Sequence, residues 1–484
     1  MGTMRGDLAG GSRWTAISTA IITALQIIQF LFLGNVLSTA EFGAVGIVTA
    51  ILIFAQIILD LGAGSAIIQL KEVTQDLLSS LFWMNVFCGF LICITLFLSS
   101  SFAGIFFKQE ELPDLLKILS LLFLAAPFGQ QSQYLLQRNL EFKKLGQIEA
   151  GAAVISFLVL LILTAGIEPL YAFVISQTAL YSIRGLMYLA LSCKTWRPAF
   201  VFRLNECRTI IRFAGFQLLS RLVNRAASNM DVFLIGRFMG AEALGIYNLV
   251  YQIITIPVLK INPILTRVAF PVFSKNQDSP KTLKEGYLLI TKILALAAFP
   301  MLSGLAAVSS PFILTVFGEE WLDAVPILQI MTIVGALRVL MNPSGAILLA
   351  KGRAELAFYW DAGMLLLYGS SLFAAVQSGS LEAVAWTYTG VSLVNFILGR
   401  YLLSKLIGLK WGSYLYALKK PALLSLFISA AAVGARNISA GYFSAGILPS
   451  LAISILSAAA LYLVLLAAAY PYHVRKFIKN GRSL

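Results

Sequence analysis

The sequence predicts an all-α polytopic membrane protein of about fourteen transmembrane helices, built as two parallel-repeat lobes of six helices plus two C-terminal helices. Three observations predict it. The chain is 59% hydrophobic with only 12% charged residues, about half the charge of a soluble globule, and its mean hydropathy is +0.85. Apolar runs of about 20 residues, long enough to cross a bilayer, recur along its whole length. Parts of its first half also recur in its second. A β-barrel is excluded because the apolar runs are continuous and lack period-two alternation.

Hydropathy places spans at 14–36, 42–67, 79–106, 113–137, 143–165 and 168–193. After a basic connector come spans at 208–236, 241–270, 284–310, 322–350, 355–377, 381–404, 417–436 and 446–470. Arg5 and Arg13 precede the first span, which runs on to about Val36. That is too long for a signal-peptide core, so it reads as a retained helix. The connections are short. The domain reading is therefore a first lobe over 1–193, a connector over 194–207, a second lobe over 208–404, and two helices with a basic tail over 405–484.

The repeat is explicit. Phe32-Leu-Gly34, Leu37 and Glu41-Phe-Gly43 align with Leu234-Ile-Gly236, Met239 and Ala243-Leu-Gly245 at an offset of 202. Leu115-Leu-Lys-Ile118 aligns with Ile327-Leu-Gln-Ile330, and Leu135-Leu-Gln-Arg138 with Leu348-Leu-Ala-Lys351. Six spans separate the copies, so both have the same orientation. Parallel repeats of this kind place a substrate site at their interface near the bilayer midplane.

Lys and Arg crowd alternate loops, which sets orientation by the positive-inside rule. One face carries Lys71, Arg138, Lys143, Lys144, the 194–208 cluster, Lys351, Arg353 and the basic tail. The other holds Lys108, Lys117, Arg237 and Arg436 beside Glu110, Glu111, Glu319, Glu320 and Asp323. Both termini are thus expected in the cytoplasm. The net charge of +14 follows from these loops and points to no nucleic acid. Cys88 and Cys93 share a span, Cys193 and Cys207 flank the connector, and there is no CxxC pair, so no disulfide framework or metal site is expected. The single histidine, His473, lies in the tail. No cofactor is called for.

Candidate function concentrates in charges at mid-span, which are costly unless they face protein or a wet cavity. Arg221 and Arg225 lie four residues apart on one helix face. Lys260 stands between Pro257 and Pro263. Arg184 and Arg338 each have a small residue nearby. Together the five cations read as the wall of an anion-accepting cavity, since guanidinium groups bind phosphate bidentately. The competing reading has each cation reach an interface or pair with an acid such as Glu149, Asp231 or Asp361. It is preferred for Arg267, Lys292 and Arg400, and the two readings stay balanced for Arg184, Lys260 and Arg338. Asp60 suits a gate or cation site, and better a cap or loop contact. Asp231, Glu149 and Asp361 are ion-coupling candidates. No P-loop is present, and no polar loop pairs acids or supplies a histidine, so the chain is expected to be a transporter and no enzyme.

The ordered set Glu41-Phe-Gly43, Asp60-Leu-Gly62, Leu136-Gln-Arg138, Asp231-Val-Phe-Leu-Ile-Gly236, Gly240, Leu244-Gly-Ile-Tyr247, Phe270-Pro271 and Phe317-Gly-Glu-Glu-Trp321 with Pro326 resembles one family. It is the polysaccharide-exporting branch of the multidrug/oligosaccharidyl-lipid/polysaccharide (MOP) flippase superfamily, of the colanic acid and teichuronic acid exporter-like kind. The resemblance implies two six-helix lobes facing each other in a V. It implies movement of undecaprenyl-pyrophosphate-linked oligosaccharide across a bacterial inner membrane by alternating access, with membrane lipids and the polysaccharide polymerase machinery as further partners. The mid-span cations suit the pyrophosphate. The alternatives are an ion-coupled drug exporter of the same superfamily, disfavoured by a cationic cavity, and a membrane-embedded polymerase or ligase, which lacks its catalytic loop.

Overall fold

The computed structural model describes residues 2–60, 64, 67, 73–192, 196–255, 273, 279–350, 354–442 and 446–469. Its described elements are helical, and they fall into an N-terminal unit, Met1–Gly245, and a C-terminal unit, Ile246–Leu484. Nine of the described helices are long and apolar enough to cross a membrane, and a bent pair makes a tenth.

The N-terminal unit contains α1 (Gly2–Val36), α2 (Thr39–Asp60), α3 (Gln75–Phe107), α4 (Leu112–Ser120), α5 (Leu122–Ala125), α6 (Pro127–Arg138), α7 (Phe142–Leu163), α8 (Pro169–Ser192) and α9 (Leu204–Phe238). α1 packs on α7, α7 on α8, α6 on α8, and α9 on both α2 and α3. Helix starts follow local chemistry. Ser38 and Glu41 cap α2 reciprocally: the Ser38 hydroxyl accepts from the Glu41 amide at 3.3 Å, and the Glu41 carboxylate accepts from the Ser38 amide at 2.7 Å. Thr74 caps α3 by accepting from the Leu77 amide at 3.2 Å.

The fourth predicted span is broken. The path of Leu112–Ala125 turns by 53° into Pro127–Arg138. Pro127 has no N–H to continue the ladder, and it sits tightly on α3, where a Cβ on Gly89 would overlap its ring. The connector expected over 194–207 is described from 196 and is tied to the start of α3. Trp83 donates to the Ala199 carbonyl at 2.9 Å, the Ser80 hydroxyl accepts from the Arg203 amide at 2.9 Å, and Arg203 pairs with Asp76 at 3.0 Å.

A helical stretch, 241–255, follows α9. The glycines of the repeat meet where residues 241–245 cross α2. A Cβ on Gly43 would overlap the Ala241 carbonyl oxygen, and a Cβ on Gly245 would overlap that of Thr39. Thr39 and Ala241 are themselves related by the same offset of 202 as the two glycines. The crossing is therefore pseudo-symmetric, and only residues without a Cβ fit it.

The C-terminal unit contains α10 (Pro280–Ala307), α11 (Ser309–Val316), a 3-10 turn (Glu319–Trp321), α12 (Ala324–Ala350), α13 (Ala354–Val376), α14 (Leu381–Ile407), α15 (Trp411–Tyr442) and α16 (Ile447–Ala469). Its core joins Tyr287, Ala295, Leu340, Ile347, Leu403 and Tyr414. The Phe317-Gly-Glu-Glu-Trp321 motif is a turn: Gly318 takes φ +97°, and Phe317 and Trp321 are buried together with ring centroids 6.3 Å apart.

Candidate functional site

The N-terminal unit contains a partly open cavity of about 240 Å³, with a mixed polar and apolar lining, between α2, α6 and α8. Close packing of glycines builds it. A Cβ on Gly129 of α6 would overlap the Gly185 carbonyl of α8, and one on Gly185 would stand 2.8 Å from the Ala125 carbonyl oxygen. With the backbones that close, Gln130, Gln133 and Tyr134 of α6 face the cavity beside Tyr181, Arg184 and Tyr188 of α8. α8 and α9 are not among the helices that meet the apolar criterion for a span; they are the two that carry Arg184, Arg221 and Arg225.

Asp60, the last residue of α2, lines this cavity. The Tyr134 hydroxyl donates to its Oδ1, and Arg221 Nη1 donates to its Oδ2. Of the four acids singled out in the sequence, Asp60 is the one that Arg221 meets. Among the described residues it is paired with a guanidinium.

Arg184 is different. Its guanidinium lies over the Tyr181 ring, 4.7 Å from the centroid, an arrangement that holds the side chain without using its donors. Among the described residues it makes no ion pair and no side-chain hydrogen bond. Two more polar atoms of the lining are buried without a partner, Gln56 Nε2 and Gln130 Oε1. Glu149 of α7 stands behind the wall, accepting from the Tyr188 hydroxyl at 3.5 Å. The cavity thus presents one uncommitted cation, one neutralised carboxylate, and free amide donor and acceptor capacity. Such a set can bind a polar anion.

Arg225, one turn from Arg221, makes no ion pair and no side-chain hydrogen bond among the described residues. Asp231 is 4% exposed and accepts from the Val232 amide at 2.9 Å. In the C-terminal unit Arg338 donates to the Tyr251 hydroxyl at 2.9 Å and to the Tyr388 hydroxyl, with its charge 5.0 Å and 5.5 Å from the two ring centroids. Asp361 is exposed on α13. Lys260 and Arg267 lie outside the described residues.

Arg400 departs from the expectation of an interface or an acid. It is 3% exposed and held between the Tyr287 and Tyr414 rings, each centroid 4.6 Å away, while Nη2 donates to Ser344 Oγ at 2.8 Å. Two aromatic faces replace the carboxylate. Sequence reasoning also missed Gln56, Gln130, Gln133 and the α8 tyrosines; the signal for them was the polar run Gln130-Gln131-Ser132-Gln133 inside an apolar span. Among the described residues no group of three His, Cys, Asp or Glu side chains is placed to hold a metal ion. The C-terminal unit has a second cavity, of about 410 Å³ and apolar, between α10, α11, α15 and α16.

Comparison with known proteins gives the family. Residues 32–326 match the family model described as polysaccharide biosynthesis protein. The chain is 51% identical over 476 residues to the teichuronic acid biosynthesis protein TuaB of Bacillus subtilis, covering 98% of each chain. It is 31% identical to the lipopolysaccharide biosynthesis protein WzxC of Escherichia coli, covering 88% of this chain and 86% of that protein. The solved structure of the lipid II flippase MurJ in an inward closed conformation shares its fold, with a TM-score of 0.74 at 14% identity over 95% of this chain and 99% of that one. The chain is a multi-pass membrane protein of the polysaccharide biosynthesis protein family.

Proposed function

We propose that the chain is a flippase that carries an undecaprenyl-pyrophosphate-linked oligosaccharide across the bacterial cytoplasmic membrane by alternating access, with both termini in the cytoplasm. The observation that carries the reading is a partly open cavity inside a helical membrane unit, lined by a guanidinium with no carboxylate partner. A mid-span cation without a carboxylate partner is expensive in a membrane and is kept where an anion is to be bound. Two relatives are named for the biosynthesis of teichuronic acid and of lipopolysaccharide, which supports a polysaccharide cargo.

In this reading the polyprenyl tail stays in lipid while the sugars and pyrophosphate enter the protein. Arg221, Arg225, Lys260, Arg184 and Arg338 are assigned to the pyrophosphate. Asp60 holds Arg221 in the empty protein, and incoming phosphate competes for the same guanidinium. Glu149, Asp231 and Asp361 remain the candidates for ion coupling. Reconstitution tests this. Proteoliposomes loaded with a defined undecaprenyl-pyrophosphate oligosaccharide should show sugar arriving on the far leaflet with wild type, and at least tenfold more slowly with Arg221→Ala/Arg225→Ala. No movement of any lipid-linked sugar by the folded wild-type protein refutes the reading.

A further inference from the structure

Pro300 lies inside α10, toward the end of that helix at Ala307. A proline has no N–H, so the carbonyl four residues before it loses its partner in the helical ladder. For Pro300 that carbonyl belongs to Leu296. Both α10 and α16 are long and apolar enough to cross a membrane, and hydrocarbon offers a released carbonyl no donor. The donor comes from α16 instead: the Tyr462 hydroxyl donates to the Leu296 carbonyl oxygen at 2.7 Å. The tyrosine therefore meets the backbone atom that the proline releases. α3, six spans earlier in the repeat, contains no proline, and α16 follows both copies, so this pairing is not a feature of the repeat.

The surroundings leave the end of α10 room to move. α10 packs extensively on α15 and only slightly on α16. Between α10 and α16 lies the partly open apolar cavity of about 410 Å³, with Met301, Gly304 and Leu305 on one side and Ala458, Ala459 and Tyr462 on the other. A Cβ added to Gly304 would meet nothing within 4 Å. Closely packed helices leave no such gap. A single hydrogen bond across it can open and close without unpacking a core, because its net contribution is modest.

We infer that α10 hinges at Pro300, that Tyr462 is the latch holding the hinge in this conformation, and that the cavity is the room into which the end of α10 swings when the latch opens. The hinge acts within the C-terminal unit and does not depend on what the protein carries.

Hydrogen exchange tests it, read peptide by peptide on the full-length protein in lipid nanodiscs. Tyr462→Phe keeps the ring and removes the donor. It should speed exchange over residues 297–307 by at least about tenfold, while α15 and the rest of α16 stay within about twofold of wild type. Pro300→Ala returns an N–H to the ladder, so in that background Tyr462→Phe should change exchange by less than about twofold. Gly304→Leu puts a side chain into the cavity and should suppress most of the acceleration that Tyr462→Phe causes. Equal acceleration with and without Pro300 overturns the inference, since Tyr462 then acts through packing and not through the released carbonyl. So does acceleration spread over α15 and α16, which marks a general loss of structure. Unchanged exchange in Tyr462→Phe, or acceleration that survives Gly304→Leu, overturns it as well.

Discussion

The Arg221 guanidinium donates to the Asp60 carboxylate across 161 residues of sequence, joining α9 to the end of α2. Both side chains are partly exposed, 43% for Arg221 and 23% for Asp60, so the pair is worth at most about 1 kcal/mol to the fold. A weak pair that holds a mid-span arginine is suited to exchange. Asp60→Asn should therefore lower the melting temperature only slightly, and a double-mutant cycle with Arg221→Ala should give a coupling under about 1 kcal/mol. If Asp60 is the counter-charge that cargo displaces, Asp60→Asn should change transport by more than tenfold despite that small cost. A large stability loss with unchanged transport by the folded fraction makes the pair purely structural.

The crossing of α2 with residues 241–245 leaves no room for a methyl group on either glycine. Gly43→Ala and Gly245→Ala each push a Cβ into a backbone carbonyl, an atom that cannot rotate aside. Overpacking of this kind costs about 1–3 kcal/mol or more. Because the two contacts are pseudo-equivalent, the two variants should lose similar amounts of thermal stability in detergent. A tolerated alanine at either position shows that the helices separate there without cost.

How far the sequence reached depends on the range of the contact. The spans, the repeat and the mid-span arginines are local patterns, and Arg184 was legible as a cation too deep for its cost. Asp60 was legible as an acid, but its partner was not, because nothing within α2 or α9 alone reports that they meet. The Gly43 and Gly245 alignment was visible as a repeat and became a contact only when the two segments were brought together. Gln56 and Gln130 gave the weakest signal. A glutamine in an apolar span is ordinary, and its functional weight appears only when its amide is found buried without a partner. The break at Pro127 was legible in principle from the proline itself, but continuous hydropathy over 113–137 concealed it.

Three acids converge at one end of the N-terminal unit. Burial first, then the charges of Glu168 and Glu41, raise the Glu111 pKa from its ordinary value. An acid whose pKa is raised on folding costs stability when ionised, and that cost disappears as pH falls through the folded pKa. Glu111→Gln should accordingly raise the melting temperature at neutral pH by no more than a surface charge pair is worth, under about 1 kcal/mol. The gain should vanish once the pH is low enough to protonate Glu111 in wild type. A gain that persists unchanged into acid has some other origin.

Arg400 poses the opposite problem to Arg184, a buried guanidinium already enclosed. Tyr287 and Tyr414 face it at 4.6 Å on each side, yet among the described residues its Nε and Nη1 have no partner and neither does the Tyr414 hydroxyl. A desolvated cation between two rings gains about 2 kcal/mol or more from each, and removing one ring leaves the charge buried with half its stabilisation. Replacing the arginine by an apolar side chain of similar length instead removes the charge together with its desolvation cost. Tyr414→Leu should therefore destabilise the protein more than Arg400→Met does, by about 1–2 kcal/mol, as read from melting in detergent. If Arg400→Met is the worse of the two, the unpartnered nitrogens meet an anion or ordered water that the rings alone do not replace.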